Sequence, residues 1–127
     1  MGDGPRRVRV ARLAVAEELI FDRLNRKIRK IERAIKDSVA RLATEPFRVA
    51  HYGATDIDPR HLVYWICVQR DAERDRLASD SALNAQLRSL LVTFDYPASA
   101  REHVHIGFES QETVDRESDG NWWQHWK

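Results

Sequence analysis

The sequence predicts an α+β fold, in which a single two-layer domain packs helices on one mixed sheet of three strands. Three observations lead to this class: a long amphipathic helical pattern over residues 13–43, three segments typical of strands, and a pair of shorter helical segments before the last strand. The predicted element order is α-β-β-α-β. At 127 residues the chain is expected to form one domain spanning 1–127, with residues 1–8 flexible and a tryptophan-rich segment at 115–127.

The long N-terminal amphipathic helix is predicted from an apolar stripe with successive spacings of 4, 4, 3, 4, 4 and 3 residues. Such an 11-residue repeat averages about 3.67 residues per turn, so the stripe stays nearly straight and suits a helix lying across a sheet. A helix over 13–43 would be about 46 Å long at 1.5 Å per residue. A compact domain of this size is roughly 36 Å across, so one end of the helix should extend beyond it. The stripe consists of Ile20, Leu24, Ile28, Ile31, Ile35, Val39 and Leu42.

An alternative assignment places a strand before this helix. Residues 7–11 read RVRVA and alternate like a short edge strand. The order would then be β-α-β-β-α-β, which is a four-stranded, ferredoxin-like sheet. The three-stranded sheet is favoured because no turn residue separates RVRVA from the helix.

Two strands are predicted next, at residues 47–52 and 61–69. The second reads HLVYWICVQ, which is almost continuously apolar and rich in β-branched and aromatic residues, as in a central strand covered on both faces. The connection at 53–60 contains the turn dipeptide Asp58-Pro59. It is short enough for an antiparallel hairpin.

A helix pair is predicted between the second and third strands. Asp71 is expected to cap the first helix through its carboxylate, and Ser79 or Asp80 is expected to cap the second. The second helix carries a clear apolar stripe, formed by Leu83, Leu87, Leu90, Leu91 and Phe94.

The last strand is predicted over residues 103–114, where apolar and polar side chains alternate. Val104, Ile106 and Phe108 would point to the core. The following segment VDRESDGN is predicted to be a polar turn.

Composition predicts a soluble globular protein, with 43% hydrophobic and 32% charged residues. No run of about 18 apolar residues occurs, so no membrane span is expected, and no secretory signal is recognised at the N-terminus. The single cysteine, Cys67, has no partner for an internal disulfide, which favours a cytoplasmic location. Cys67 lies in the most apolar predicted strand, where burial would keep the thiol inert.

The net charge of +1 conceals an uneven distribution. Residues 1–50 carry 13 basic and 7 acidic side chains, a balance of +6, whereas residues 51–127 carry 8 and 13, a balance of −5. This layout can steer a charged partner or pair two copies as a homodimer. The alternative is an ordinary solvated surface.

The segment HVHIGFE is the first candidate for chemistry. In a strand, His103, His105 and Glu109 would share one face, and such groups bind metals or transfer protons. Same-face neighbours on one strand are about 7 Å apart, so a third ligand would have to come from His51 or from His125. Without such a group, the pair is only the polar side of a strand, and no metal is assigned.

The C-terminal segment GNWWQHWK is the second candidate, with three of the chain's four tryptophans within five residues. These side chains are predicted to fold back onto the sheet. The alternative is an exposed contact patch, because tryptophan is enriched at the energetic centres of protein interfaces. Trp122 and Trp123 are adjacent, so at most one of them is expected to be buried easily against the same layer.

The leading functional hypothesis is a small non-catalytic protein that works through protein-protein contacts, as an accessory, adaptor or toxin-neutralising factor without a cofactor. It rests on the lack of any complete catalytic constellation, such as a phosphate loop, a CxxC pair or a GxSxG elbow, together with the uneven charge distribution and the tryptophan-rich C-terminal segment. One alternative is a metal-dependent or histidine-carboxylate hydrolase centred on the HVH strand. Another is nucleic-acid binding by the basic helix, which is disfavoured because the whole domain is not basic. The contact candidates are Trp122, Trp123, Trp126, Glu109, Glu112, Asp115, Arg26, Arg29 and Lys30, and the metal-ligand candidates are His51, His103 and His105.

Overall fold

The computed structural model describes the backbone of residues 4–126 and the side chains of residues 19–126. The elements follow the predicted order, and the α+β class with helices on a three-stranded mixed sheet is confirmed. None of the described helices is both long enough and apolar enough to cross a bilayer. The helices are α1 (Gly4–Ala40), α2 (Asp71–Ala78), α3 (Ser81–Thr93), α4 (Gln111–Ser118) and α5 (Trp122–His125), and the strands are β1 (Arg48–Tyr52), β2 (Val63–Val68) and β3 (His105–Ser110).

β2 is the central strand of the sheet, whose order is β1-β2-β3. It pairs antiparallel with β1 through the predicted hairpin and parallel with β3. Short 3-10 turns at Pro59–His61 and Arg101–His103 lead the chain into β2 and β3.

The main core lies between the sheet and the helices α1 and α3. Tyr64, Ile66 and Val68 of β2 are buried there, and the Tyr64 hydroxyl donates to the Ile28 carbonyl of α1 at 2.6 Å. Both predicted helical stripes supply this core. Its members from the helices are Ile28, Ile31, Ile35, Val39, Leu77, Leu83, Leu87, Leu90 and Leu91.

α1 begins earlier than the sequence pattern indicated, and residues 7–11 belong to it. The alternative strand at RVRVA, and with it the four-stranded ferredoxin-like sheet, is therefore wrong, because the helix continues through a segment that has no turn residue to stop it. The apolar stripe is buried from Ile28 to Val39, but Ile20 is 66% exposed. The flexibility expected of residues 1–8 stays a prediction, since residues 1–3 lie outside the described part of the chain.

The predicted helix caps have different outcomes. Asp80 caps α3 as expected, because its carboxylate accepts from the Leu83 N–H at 2.9 Å. Asp71 does not cap α2 and is instead its first residue. Its carboxylate accepts hydrogen bonds from the side chains of Ser110, Thr113 and Arg116, which fix α4 against α2.

The end of the last predicted strand is also different. β3 stops at Ser110, and the segment predicted as strand and polar turn forms α4. The Ser110 side chain caps this helix by accepting from the Thr113 N–H at 3.1 Å, and Val114 is buried beneath it. One buried apolar residue was too weak a periodic signal to reveal a two-turn helix.

Candidate protein-binding site

The two faces of the sheet are covered by different parts of the chain. Side chains alternate along a strand, so Tyr64 and Ile66 point to α1 and α3, whereas Trp65 points to the opposite side, which we call the tail face. The strand register places Ala50 and Gly107 on either side of Trp65. A Cβ at Gly107 would lie 2.9 Å from Trp65 Cζ3. The missing side chain therefore leaves room for the indole to lie across β3.

The C-terminal tryptophans fold back onto the tail face. The Trp126 ring stacks on Trp65, with centroids 5.6 Å apart and planes inclined by 14°. Tyr52 and Trp122 contact the same ring, with centroids 5.8 Å and 5.2 Å from that of Trp126. Trp65 Nε1 donates to the Tyr52 hydroxyl at 3.1 Å. These contacts join β1, β2 and α5 in one aromatic cluster.

Polar contacts anchor the tail beside this cluster. His125 Nε2 lies 2.9 Å from Glu109 Oε2, and His125 Nδ1 lies 3.2 Å from Ser118 Oγ. Because an ionised carboxylate can only accept, Nε2 carries a proton in this contact. Trp122 Nε1 donates to Gln111 Oε1 at 2.8 Å. α5 is thereby held to both β3 and α4.

The Glu109 carboxylate is the centre of this anchor. Burial alone raises its pKa, but hydrogen bonds from His125, from the Ser110 N–H and from Arg74 outweigh burial and lower the pKa below its ordinary value. Arg74 Nη1 donates to Glu109 Oε1 at 3.0 Å. Glu109 is therefore ionised at neutral pH, and its carboxylate is bound by groups of the same domain.

A groove of about 520 Å³ opens between β1 and the tail, and we call it the tryptophan groove. Trp123 is 74% exposed at this groove. The Arg48 guanidinium lies 4.8 Å from the centroid of Trp122 and forms no ion pair with any residue whose side chain the structure describes. The lining residues are Arg48, Ala50, His51, Tyr52, Trp122, Trp123 and Trp126.

The groove runs beside an open strand edge. β1 pairs only with β2, and within residues 4–126 no other backbone group bonds to β1. An edge strand presents unpaired N–H and C=O groups that can pair with an added strand. The Trp126 Nε1 donor is also buried without a hydrogen-bond partner among the described residues.

No protein-family model, curated protein or solved structure matches this chain. The placement of the candidate residues is thus read from the geometry. Among the acidic contact candidates, Glu109 is internal, as described above. Glu112 accepts from the Asp71 N–H at 3.1 Å, and Asp115 accepts from Gln111 at 2.8 Å. The Glu112 carboxylate thus links α4 to α2, and the Asp115 carboxylate bonds within α4, the helix that precedes the tail.

The basic contact candidates Arg26, Arg29 and Lys30 are exposed on α1. Arg29 lies one turn before Glu32, whose carboxylate is 3.1 Å from His51 Nδ1 of β1. Arg29 is therefore on the side of α1 that borders β1. Lys30 is two residues from Glu32 and points to the opposite side of the helix.

The metal-ligand candidates are not brought together. His51 lies on the helix side of the sheet beside Glu32, whereas His105 lies on the tail face, with its ring centroid 4.8 Å from that of Trp65. His103 is in the turn before β3, next to Glu102. Among the residues that the structure describes, no group of three or more His, Cys, Asp or Glu side chains could hold a metal ion.

Ser118, His125 and Glu109 have the order of a nucleophile, a base and an orienting carboxylate, as in a hydrolase. Acyl transfer also needs N–H donors aimed at the developing oxyanion. The backbone N–H groups of Gly120 and Asn121, just after Ser118, already donate to carbonyl oxygens of the chain. The geometry therefore supports an anchor for the tail better than a catalytic centre.

Cys67 has the environment that the sequence predicted. It is buried in β2, and burial raises the pKa of its thiol to about 11. The thiol is therefore protonated at neutral pH and is a poor nucleophile.

Sequence reasoning did not single out Arg48, Tyr52 and Trp65 as parts of the site. In the sequence Trp65 is one more apolar residue of a predicted central strand, although in the structure it is the platform on which Trp126 stacks. The available signal was Gly107, a glycine inside an alternating strand, since such a glycine often marks a position where a bulky group lies close to the backbone.

Proposed function

We propose that this protein is a non-catalytic binding module that recognises a protein partner through the tryptophan groove. The observation that carries the proposal is the exposure of Trp123, at 74%, above an aromatic groove beside an open strand edge. Tryptophan provides a large rigid contact area, and it is enriched among the residues that dominate binding energy.

The groove is already organised for binding. Trp122 is fixed by its hydrogen bond to Gln111, and Trp126 is fixed by stacking on Trp65. Side chains held in this way lose little further conformational freedom when a partner binds. Such preorganisation supports recognition by the tail as a rigid surface.

The electrostatics of the groove argue against a cationic small ligand. Aromatic cages bind quaternary ammonium groups through the faces of their rings. Here the Arg48 guanidinium occupies the face of Trp122, so a second cation would be repelled. An apolar side chain of a protein partner fits this lining better.

The first test is selection of linear peptides from a random display library against the wild-type protein. The selected peptides should shift the Trp123 indole signal in NMR spectra. This signal is easy to assign, because the chain has four tryptophans and therefore four indole N–H signals. Trp123→Ala should weaken their binding by about tenfold or more, as expected for an interface hot spot. Val92→Ala is the matched control, because Val92 is an exposed apolar residue of α3 outside the groove.

Two results would contradict the proposal. One is a set of peptides that bind Trp123→Ala as tightly as the wild type. The other is the failure of repeated selections to yield any binder that contacts the groove.

A further inference from the structure

We infer that the partner enters as an extended, acidic segment that adds a strand to the free edge of β1. This inference rests on the proposed function and states the chemistry of the partner. An added strand gains main-chain hydrogen bonds along the edge, while alternate side chains enter an adjacent pocket. The tryptophan groove has the right position for that pocket, because Arg48, Ala50 and Tyr52 of β1 form one of its walls.

Positive charge borders this edge on both sides of the sheet. On the tail face, Arg48 has no ion-pair partner among residues 19–126. On the helix side, Arg29 and Lys36 are exposed one turn before and one turn after Glu32. Glu32 itself is paired with His51. A strand laid along β1 would therefore meet basic groups on both faces, which favours acidic side chains in the partner.

The same charges disfavour a second copy of this chain as the occupant. Pairing of β1 with its own copy would bring two sets of Arg29, Lys36 and Arg48 to one seam. Like charges brought together across an interface are unfavourable. The positive charge at this edge thus fits recognition of another, acidic protein better than self-pairing through β1.

A single-stranded nucleic acid is also disfavoured at this surface. Such ligands bind by stacking successive bases on several aromatic faces. Among the indoles of the groove, Trp126 is stacked on Trp65 and Trp122 is covered by Arg48, so Trp123 is the exposed one. Base stacking would have one platform, whereas a strand has the whole edge of β1.

The test uses fluorescent peptides of about nine residues, which is near the upper end of the usual strand length. All carry the same apolar residues at alternate positions, with either Glu or Lys between them. Two further versions of the Glu peptide are N-methylated on one or the other set of alternate amides. In anisotropy titrations, the Glu peptide should bind about tenfold or more tightly than the Lys peptide, and higher salt should reduce the difference. Only one of the two N-methylated peptides should lose binding, because only one set of amides faces β1.

Charge reversals at basic residues of α1 and β1 provide the matched comparison. Lys36→Glu should weaken the Glu peptide by about fivefold, and Arg48→Glu should weaken it by at least as much. Lys30→Glu changes the net charge of the chain by the same amount as Lys36→Glu, but on the side of α1 away from β1. It should leave the affinity within about twofold.

The outcomes separate this inference from the proposed function. If the Glu and Lys peptides bind equally, or if the Glu peptide does not bind, the acidic strand is ruled out. The proposed function is retained in that case if the library peptides lose affinity for Trp123→Ala, because the tryptophan groove is then a binding site for another kind of peptide. An oligothymidine that displaces the Glu peptide and binds more tightly would overturn the inference in favour of nucleic acid. A salt-resistant dimer whose formation blocks the peptide would overturn it in favour of self-pairing.

Discussion

The two faces of this sheet are covered by different kinds of side chain. The helix face is covered by fully buried aliphatic side chains from α1 and α3. The tail face is covered by half-buried aromatic rings, a cation and a hydrogen-bonded histidine. One central strand serves both, since Ile66 points to the first face and Trp65 to the second. The comparison shows that a small domain can keep its stabilising core apart from a surface on which aromatic rings stay partly exposed.

The difference has energetic consequences. Aliphatic side chains without exposure stabilise through burial and close packing, so truncating them costs both transfer free energy and a cavity. Rings that are partly exposed contribute less to folding, and part of their area remains available for binding. Substitutions on the helix face should therefore change global stability, and substitutions on the tail face should change local order and recognition.

The largest expected effect is on the helix face. Ile31 is 0% exposed, and Ile31→Ala should lower the free energy of unfolding by about 2–5 kcal/mol. Ile20→Ala on the same helix is the matched control, because Ile20 is mostly exposed, and it should cost no more than about 0.5 kcal/mol. Urea denaturation followed by far-UV circular dichroism measures both. Equal losses for the two variants would contradict the assignment of the core.

A smaller effect is expected on the tail face. Trp126→Ala removes the ring that stacks on Trp65, and we expect a loss of roughly 1–3 kcal/mol, below the range for a fully buried aromatic side chain. The tail should become sensitive to protease while α1 and the sheet stay folded. The indole signal of Trp65 should move in NMR spectra.

Trp123→Ala is the control for this second prediction. It removes a neighbouring tryptophan that is mostly exposed, so the tail should stay docked and resistant to protease. Equal protease sensitivity of the two variants would show that the stacking on Trp65 does not hold the tail.

The helix face could largely be predicted from sequence because its signal is local. The stripe from Ile28 to Val39 and the leucines of α3 repeat at helical spacing, and β2 reads as a continuous apolar run. The exceptions also have local causes. Residues 7–11 alternate like a strand but are part of α1, which continues through them. The short helix α4 has one buried apolar side chain, Val114, so its sequence lacks a helical repeat of apolar residues.

The tail face could be predicted only in outline because it depends on distant contacts. The sequence indicated that the tryptophans fold back, but it did not identify their platform, since four helices and the strand β3 lie between Trp65 and Trp126 along the chain. The sequence suggests His125 only as a candidate third group beside His103 and His105, whereas the structure pairs it with Glu109. Neither His51 nor His103 joins the Glu109–His125 pair. The strand register places His51 on the other side of the sheet, and His103 lies in the 3-10 turn before β3.

The smallest expected effect concerns the pH dependence of tail docking. The pKa of Glu109 is lowered in the folded state, so its ionised form stabilises the docked tail above the ordinary value of 4.5. That contribution is lost as the pH falls through the lowered pKa, because the protonated carboxyl no longer attracts Arg74 and His125. The ionisable groups around it are Arg74 on α2, His125 on α5 and Glu117 on α4, whose carboxylate is 3.8 Å from His125 Nδ1.

Glu109→Gln isolates this contribution, since the amide oxygen can still accept but the charge is gone. At neutral pH the variant should dock its tail less firmly by about 1 kcal/mol or less, the range for a partly screened ion pair. Its docking should also lack the loss that the wild type shows on acidification below the ordinary pKa. NMR signals of the stacked Trp65 and Trp126 indoles report whether the tail is docked. Far-UV circular dichroism reports global unfolding in acid. Asp71, whose pKa is lowered to about 2, contributes to that global unfolding. Glu102→Gln, at an exposed carboxylate before β3, should reproduce the wild-type curve. If Glu109→Gln did so as well, the tail would be held by its rings alone, and the polar anchor would have no part in preparing the groove.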